Sequence, residues 1–411
     1  MNDSHAAGTL GSTRRTAPAP GAPRAGGTHT RPAGPGTRRT ETELRRAGAG
    51  TPRPAPATSR AVPGARAVPP AHTPHRLVFA ALLGALLAVG ALAASIGTVG
   101  VPYLDTMRII AARTLGLTVD LPSPAAEIVW GIRLPRVLVA GLVGAALSTS
   151  GAAMQGLFKN PLASPGLAGV SSGASLGAVV AMFLGWHFLH IWLVPAAAFA
   201  GALFAAAIVY LLATRGGRTD MATLLLAGIA VSAFFSAVIA ILYHFVEDGL
   251  LRQIVYWLMG NLTGRRWDHV AAVVPFVTVG SVALWYFAGD LNALMAGEDE
   301  ARSMGVPVER SKAGVLALVS LTTGAAISVS GMIGFVGLIT PHIVRLLVGP
   351  DHRRLLPASA LAGASFLILS DLIARTIFSP VELRTGIVTA IFGVPFFLYL
   401  LARRRNLVRW S

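Results

Sequence analysis

The chain has 411 residues, of which 54% are hydrophobic and only 13% charged, where a soluble domain carries about a quarter charged; a water-soluble protein is excluded. With no cysteine, disulfides, thiolate metal sites and a cysteine nucleophile are excluded too. The net charge of +16 suggests nucleic acid until it is divided along the chain: residues 1–76 hold 12 arginines against three acids, leaving only +7 for the rest, so no nucleic-acid partner is expected.

Residues 1–76 also hold 12 of the 26 prolines and almost no large apolar side chains. Such a segment cannot bury enough surface to offset the entropy of ordering, so disorder is predicted. Its arginines suit anionic lipid headgroups, at about 1 kcal/mol each. An extension without selected function, or a start codon placed too far upstream, accounts for the same composition and is the preferred reading. Arg14-Arg15 is followed by no short apolar region and cleavage site, so it is not read as a twin-arginine signal.

Residues 77–99 are uncharged and form the first predicted membrane span, with the basic tail, and hence the N-terminus, on the cytoplasmic side. Residues 101–132 are polar and amphipathic, an outer connection with a short interfacial helix and Trp130 as an anchor. From Val137 to Phe158 there is again no charge, and 22 residues of helix cross a core of about 30 Å. This span is rich in Gly, Ala and Ser, which offers neighbouring helices a smooth surface; it is predicted to be the central helix. The NPLASPG segment after it breaks the helix at Asn160, Pro161 and Pro165, tolerable only beside buried protein or a watered cavity, which points to a pathway.

Further spans are predicted at 166–185, where Gly173 and Gly177 suit tight helix packing, at 191–213, ending in the basic loop TRGGRTD, and at 222–245. Residues 246–268 are predicted to lie along the outer headgroups. A sixth span at 270–288 leads into a solvent-facing cytoplasmic loop with Glu298, Asp299, Glu300, Arg302, Glu309, Arg310 and Lys312. Spans at 313–330, 334–347 (kinked by Pro341), 355–378 and 387–401 complete the pattern. The fold class is therefore an all-α polytopic membrane protein of about ten transmembrane helices with both termini cytoplasmic. Its parts are the tail 1–76, a permease domain 77–405 and a short cytoplasmic tail 406–411.

The chain has two lysines, Lys159 and Lys312, and neither follows glycine, so a Walker A phosphate loop is missing and any ATPase must be another polypeptide. Gly169–Gly173 matches the G-x-S-x-G nucleophile elbow at Ser171, but it opens a membrane helix rather than joining strand to helix, and helix packing is the better account. His187 and His190 form H-x-x-H without a third ligand and read as interfacial histidines, so no metal is expected. Asp371 and Arg375 stand at i, i+4 and predict either a local ion pair or a pathway group.

Several motifs in order, RLPR, Gln155 with NPLA, GLAGVSSGA, LLLAGIAV, YWLMGNL, EARSMGV, SGMIGFVGLITPHIVR with GPDHRRLLP, SDLIAR and GIVTAIFGVPFF, resemble the FecCD-type permeases over about 77–405. These are membrane subunits of ABC importers for iron-siderophores, haem and cobalamin. The resemblance implies a pair of permeases, the same or related, an extracytoplasmic substrate-binding protein, and two ATPase subunits that use the ATP, with no cofactor bound by this chain. It implies a cavity along the central helices and alternating access, with a ferric siderophore as the first expected cargo and haem or cobalamin behind it. Arg133, Arg136 and Arg375 resemble outer arginines that face acidic residues of the binding protein. Asn160 and Leu162 resemble positions near the cytoplasmic gate, with Gln155 and Pro161 in the same pathway set. Glu300, Ala301 and Gly305 resemble the loop that couples to the ATPase, and Arg302 lies within it. Asn261 in place of Ser, and Arg384 in place of Pro, depart from the family pattern and alter charge on the outer rim. The rival from another class, an ion-coupled secondary transporter, requires internal repeats and buried acids; Asp371 is its one strong candidate.

Overall fold

The computed structural model describes residues 75–97, 99–117 and 123–408. The predicted tail 1–76 lies outside the described residues except for His75 and Arg76, which open α1 (His75–Ser95). That helix is apolar all round and buried only at Ala93, Ala94 and Ser95, as suits a peripheral helix in lipid. Beyond it, α2 (Tyr103–Thr114) and α3 (Ser123–Glu127) form the predicted outer connection, sealed by a small core of Val101, Ile109, Ala126 and Val129. A wide π turn over Ile128–Arg133 then runs into α4 (Leu134–Leu157). Pro135 at the start of α4 has no N–H to give the turn before it, which favours the irregular turn there.

The centre of the molecule is α4, in which every residue from Ala146 to Leu157 is buried. A 3₁₀ turn (Pro165–Ala168) follows the NPLASPG break and leads to α5 (Val170–Phe183), a short turn α6 (Trp186–Leu189) and α7 (Leu193–Ala213). The predicted Gly173/Gly177 seam packs on α7: a Cβ at Gly173 would stand 2.2 Å from the Gly201 carbonyl oxygen. The loop TRGGRT is a tight ribbon, β1 (Thr214–Arg215) with β2 (Arg218–Thr219), turned by Gly216 and Gly217 at φ 56° and 73°. Two successive positive φ values are what a two-residue hairpin turn requires.

The Asp220 side chain accepts from Thr223 N at 2.7 Å and caps α8 (Met221–Tyr243). The predicted headgroup segment is the amphipathic α9 (Asp248–Leu258), with Ile254 buried and Arg252 and Gln253 exposed. It is followed by α10 (Trp267–Tyr286), α11 (Ala288–Ala296), α12 (Glu298–Ser303), α13 (Val308–Ser330), α14 (Val336–Val348), α15 (His352–Thr376) and α16 (Thr385–Val408). The last helix therefore carries through residues 406–408, which sequence placed in a tail.

All ten predicted spans are helical. Among the described residues, seven helices are long and apolar enough to cross a membrane, while Val170–Phe183, Val336–Val348 and Thr385–Leu400 are shorter apolar helices. Around α4 pack α10, α13, α14 and α15. A Cβ on Gly144 would lie 2.2 Å from the Gly363 carbonyl oxygen of α15, and one on Gly151 1.8 Å from that of Gly337 in α14, so both contacts are backbone to backbone.

Candidate functional site

At one end of the bundle, the guanidinium of Arg136 forks onto Asp371, Nε to Oδ2 at 2.9 Å and Nη2 to Oδ1 at 3.0 Å, while Nη1 meets Glu382 Oε2 at 3.0 Å. Thr385 Oγ1 donates to Asp371 at 3.0 Å and Thr263 Oγ1 to Glu382 at 2.9 Å. Planar bidentate pairing is the arrangement that lets a charge leave water at least cost. In the loop after α15, burial raises the Glu382 carboxyl, but the Arg136 charge and the Thr263 hydroxyl outweigh it and hold it below its ordinary value.

Arg133 and Arg375 serve a different purpose. Arg133 donates to the carbonyls of Ser95 (2.6 Å), Ala94 (3.4 Å) and Val99, and Arg375 to that of Ala93. The carbonyls of Ala93, Ala94 and Ser95 are those that the C-terminus of α1 leaves without helical partners, that of Val99 follows in the connection, and cations there also oppose the helix dipole. The three arginines expected to face a docking protein are thus 4%, 6% and 5% exposed and are used inside the chain. Asp371 pairs with Arg136 and not, as its spacing suggested, with Arg375. Trp130, expected as a lipid anchor, lies against Trp267 with ring centroids 5.0 Å apart and accepts the Trp267 indole N–H at 3.0 Å.

The predicted gate set sits at the other end of α4. Gln155 is buried and donates to Leu338 O at 3.2 Å, holding α4 to α14. Asn160 Oδ1 accepts Leu162 N at 3.0 Å, so Asn160, Pro161 and Leu162 form a half-exposed turn directly below α4. In its buried half, from Ala146 to Leu157, the central helix is enclosed by its own chain. An open apolar groove of about 640 Å³ lies instead on the flank of the molecule, between Leu258 and Met259 at the end of α9, Met332, and Ile387, Ile391 and Val394 of α16. Arg384 at the start of this region lies over the Tyr256 ring, 4.2 Å from its centroid.

The residues expected to couple to an ATPase also fall together. Glu300, Ala301 and Arg302 are on α12, with Ala301 fully buried as its anchor and Glu300 exposed, and Gly305 follows in the left-handed region at φ 82° with open space around it. Arg302 binds Asp299 at 2.7 Å and Glu298 at 3.1 Å. At the same end Asn292 Nδ2 donates to Asp351 at 2.6 Å, and burial of that carboxyl is outweighed by this bond and the neighbouring arginines, which keep it below its ordinary value. The serine of the elbow motif has no hydrolase context: Ser172, beside it, donates to Gly169 O at 2.9 Å in an ordinary helix start.

The model of the FecCD transport family matches residues 71–403. The chain belongs to that family. Among FecCD relatives it is 50% identical to the cobalamin import system permease protein BtuC of Halobacterium salinarum, over 70% of this chain and 77% of that one. It is 42% identical to the hemin transport system permease protein HmuU of Yersinia pestis, over 68% and 84%. A solved structure of a metal-chelate type ABC transporter in an inward-facing conformation superposes with a TM-score of 0.69 at 30% identity, covering 80% of this chain and 99% of that one. This FecCD protein is accordingly a multi-pass membrane permease of an ABC importer, a transporter subunit and not an enzyme, and the secondary-transporter reading falls. Sequence reasoning missed Glu382, which has no regular spacing to Arg136, and it placed Lys312 in a solvent-facing loop, whereas that side chain is buried.

Proposed function

We propose that two copies of this chain, or this chain and a related permease, form a path for a bulky metal chelate of the cobalamin or haem class. Separate ATPase subunits drive it from the α12 end, and an extracytoplasmic binding protein loads it from the end that carries Arg136. The observation that carries the cargo class is the pair of relatives whose names state cobalamin and hemin transport, at 50% and 42% identity. The 640 Å³ groove supports it, since an open, apolar half-cavity on the flank of one subunit is what a second subunit would complete around an amphipathic ligand. A ferric siderophore, the first expectation from sequence, becomes the second choice.

Alternating access then follows from ATP-dependent displacement of α12 and the turn around Gly305, which switches which end of the path is open. Gly305 has the open surface such a contact needs, and Ala301 ties the helix to the body. With the three arginines enclosed, docking would use the rim around them, where Arg266 is exposed and Arg384 half-exposed.

The test is purification of the tagged chain in mild detergent with whatever co-purifies, followed by reconstitution with ATP. Cyanocobalamin, haemin and a ferric siderophore are then compared as radiolabelled cargo. ATP-dependent uptake of cyanocobalamin or haemin is the expected result. Uptake confined to the siderophore overturns the cargo class. Uptake under an ion gradient without any ATPase overturns the importer reading for this chain.

A further inference from the structure

Below the membrane half of α13, one ammonium group holds three elements together. Lys312 is 2% exposed, although it lies at the solvent end of its helix. Its Nζ meets Glu298 Oε1 of α12 at 2.7 Å, Glu309 Oε1 of α13 at 3.3 Å, and the Thr219 carbonyl of the β2 strand at 2.9 Å. An ammonium has three N–H bonds and no acceptor, so each bond has one partner and each partner belongs to a different element. Glu309 closes the ring by accepting Thr219 N at 2.8 Å through its other oxygen. Arg302 reaches the same two carboxylates from the exposed side, Glu298 at 3.1 Å and Glu309 at 3.7 Å. Two cations thus face Glu298 and Glu309, and Arg302 also holds Asp299 on the exposed side.

The residue type is informative in itself. The chain uses arginine 32 times and lysine twice, so arginine is the default cation and lysine at position 312 departs from it. A planar guanidinium spreads its donors over three nitrogens and is bulkier than the ammonium; it cannot gather three acceptors around one buried atom. The site requires a compact point donor, and lysine is the residue that supplies one.

We infer that Lys312 is the positioning residue that makes α12, the β1–β2 ribbon and the inner end of α13 a single rigid body, so that a push on α12 reaches the membrane helices undiminished. The ribbon joins α7 to α8, and α13 packs on α4 and α7, so this node links the proposed ATPase contact to both halves of the bundle. The inference rests on the coupling role proposed for α12. Without Lys312, α12 keeps its Ala301 anchor and its Arg302 pairs but loses the bond shared with the Thr219 carbonyl; only the long Arg302–Glu309 contact, at 3.7 Å, then connects it to the ribbon, and motion of α12 is absorbed locally.

The experiment uses the full complex. The absence of native cysteine allows spin labels at Met304→Cys on the α12 turn and Arg215→Cys on the ribbon, both exposed, and their distance distribution is read with and without ATP and vanadate. The expected result is a narrow distribution in the otherwise native chain that keeps its width with nucleotide. It should broaden at least twofold in Lys312→Met and in Lys312→Arg, while the ATPase still co-purifies and hydrolyses ATP. Glu298→Gln removes one half-exposed carboxylate from the node, spares the fold and should broaden the distribution in the same direction. Cyanocobalamin transported per ATP, the probe for coupling, should fall about tenfold in Lys312→Met. An unchanged width in both Glu298→Gln and Lys312→Met, with the ATPase bound, overturns the inference, as does full coupling in Lys312→Arg. Failure of the coupling role itself shows separately: Gly305→Arg would then leave ATPase co-purification intact.

Discussion

A guanidinium withdrawn from water must find its charge matched inside the protein, and Arg136 finds it in two carboxylates, with a bond from each of its three nitrogens. Removing one side of such a pair leaves the other buried without compensation, so Arg136→Met should cost about 3–5 kcal/mol of stability. Arg136→Met combined with Asp371→Leu should recover much of that, because the isolated charge is gone; thermal unfolding of the detergent-solubilised protein measures both. Glu382 adds a dependence on pH. Its carboxyl is depressed in the folded state, so the stability it contributes is fully present above the ordinary carboxylate range and is lost as pH falls through its lower folded value. The acid limb of a stability profile should therefore flatten in Glu382→Gln, and an unaltered limb would show that Glu382 gains nothing from Arg136. At this scale the sequence was partly misleading. The arginines were visible as charges at a helix mouth, but nothing in RLPR says that the loose carbonyls of α1, some forty residues earlier, will take up Arg133 in place of a partner protein. Spacing likewise offered Arg375 to Asp371 at i, i+4, whereas the bidentate geometry of Arg136, brought from a different helix, wins the carboxylate.

Helices were easier to read than their partners. A run of small residues without charge was enough to identify α4 as central, because a helix that offers lipid so little bulk must offer its smoothness to protein. The pairing of Gly151 with Gly337 and of Gly144 with Gly363 was not readable, since the glycines that meet are 186 and 219 residues apart. The three short apolar helices were expected to be full spans, and α5 and α14 depart for a local reason. Pro165 forces a 3₁₀ entry before α5, and Phe335 at φ 67° starts α14 only after the non-helical GMIG segment, so α14 has 13 residues and rises about 20 Å, short of a full crossing. Irregular backbone of this kind is tolerable where protein encloses it, and Asn261 N does donate to Ser330 O at 2.6 Å beside that segment. The close glycines make a sharp prediction at this scale. A Cβ at Gly151 would sit 1.8 Å from a carbonyl oxygen with no flexible side chain to yield, so Gly151→Ala must push α4 and α14 apart and lose at least the 1–3 kcal/mol of ordinary overpacking, about as an order of magnitude. Gly84→Ala in α1, with nothing within 4 Å, should leave the melting temperature unchanged or slightly raised. Equal effects of the two would mean that α4 and α14 are not in backbone contact.

For the whole molecule, the two ends of the bundle are chemically distinct, and that distinction sets direction. One end gathers His75 and Arg354, which bond to each other, with Lys312, Arg302, the ribbon arginines and Lys159; the other holds the enclosed Arg136 cluster and the α9 segment. Basic loops remain on the cytoplasmic side during insertion, and the exposed basic residues of the first end, Arg215, Arg218 and Arg353 among them, outnumber those of the second. The orientation this rule predicts is α12 inward, and the proposed roles of α12 and of the Arg136 end both depend on it. Because the chain has no cysteine, one introduced residue at a time reports its side without background. Met304, 60% exposed on the turn after α12, and Val381, 66% exposed in the loop before α16, are suitable positions. In cells whose membranes keep their native orientation, a membrane-impermeant maleimide should label Val381→Cys and leave Met304→Cys unmodified until the membrane is permeabilised. Inside-out vesicles should give the reverse. If Met304→Cys labels in intact cells, α12 faces outward, no cytosolic ATPase can reach it, and the path of force from α12 through Lys312 into α13 would have to begin at the other end of the bundle.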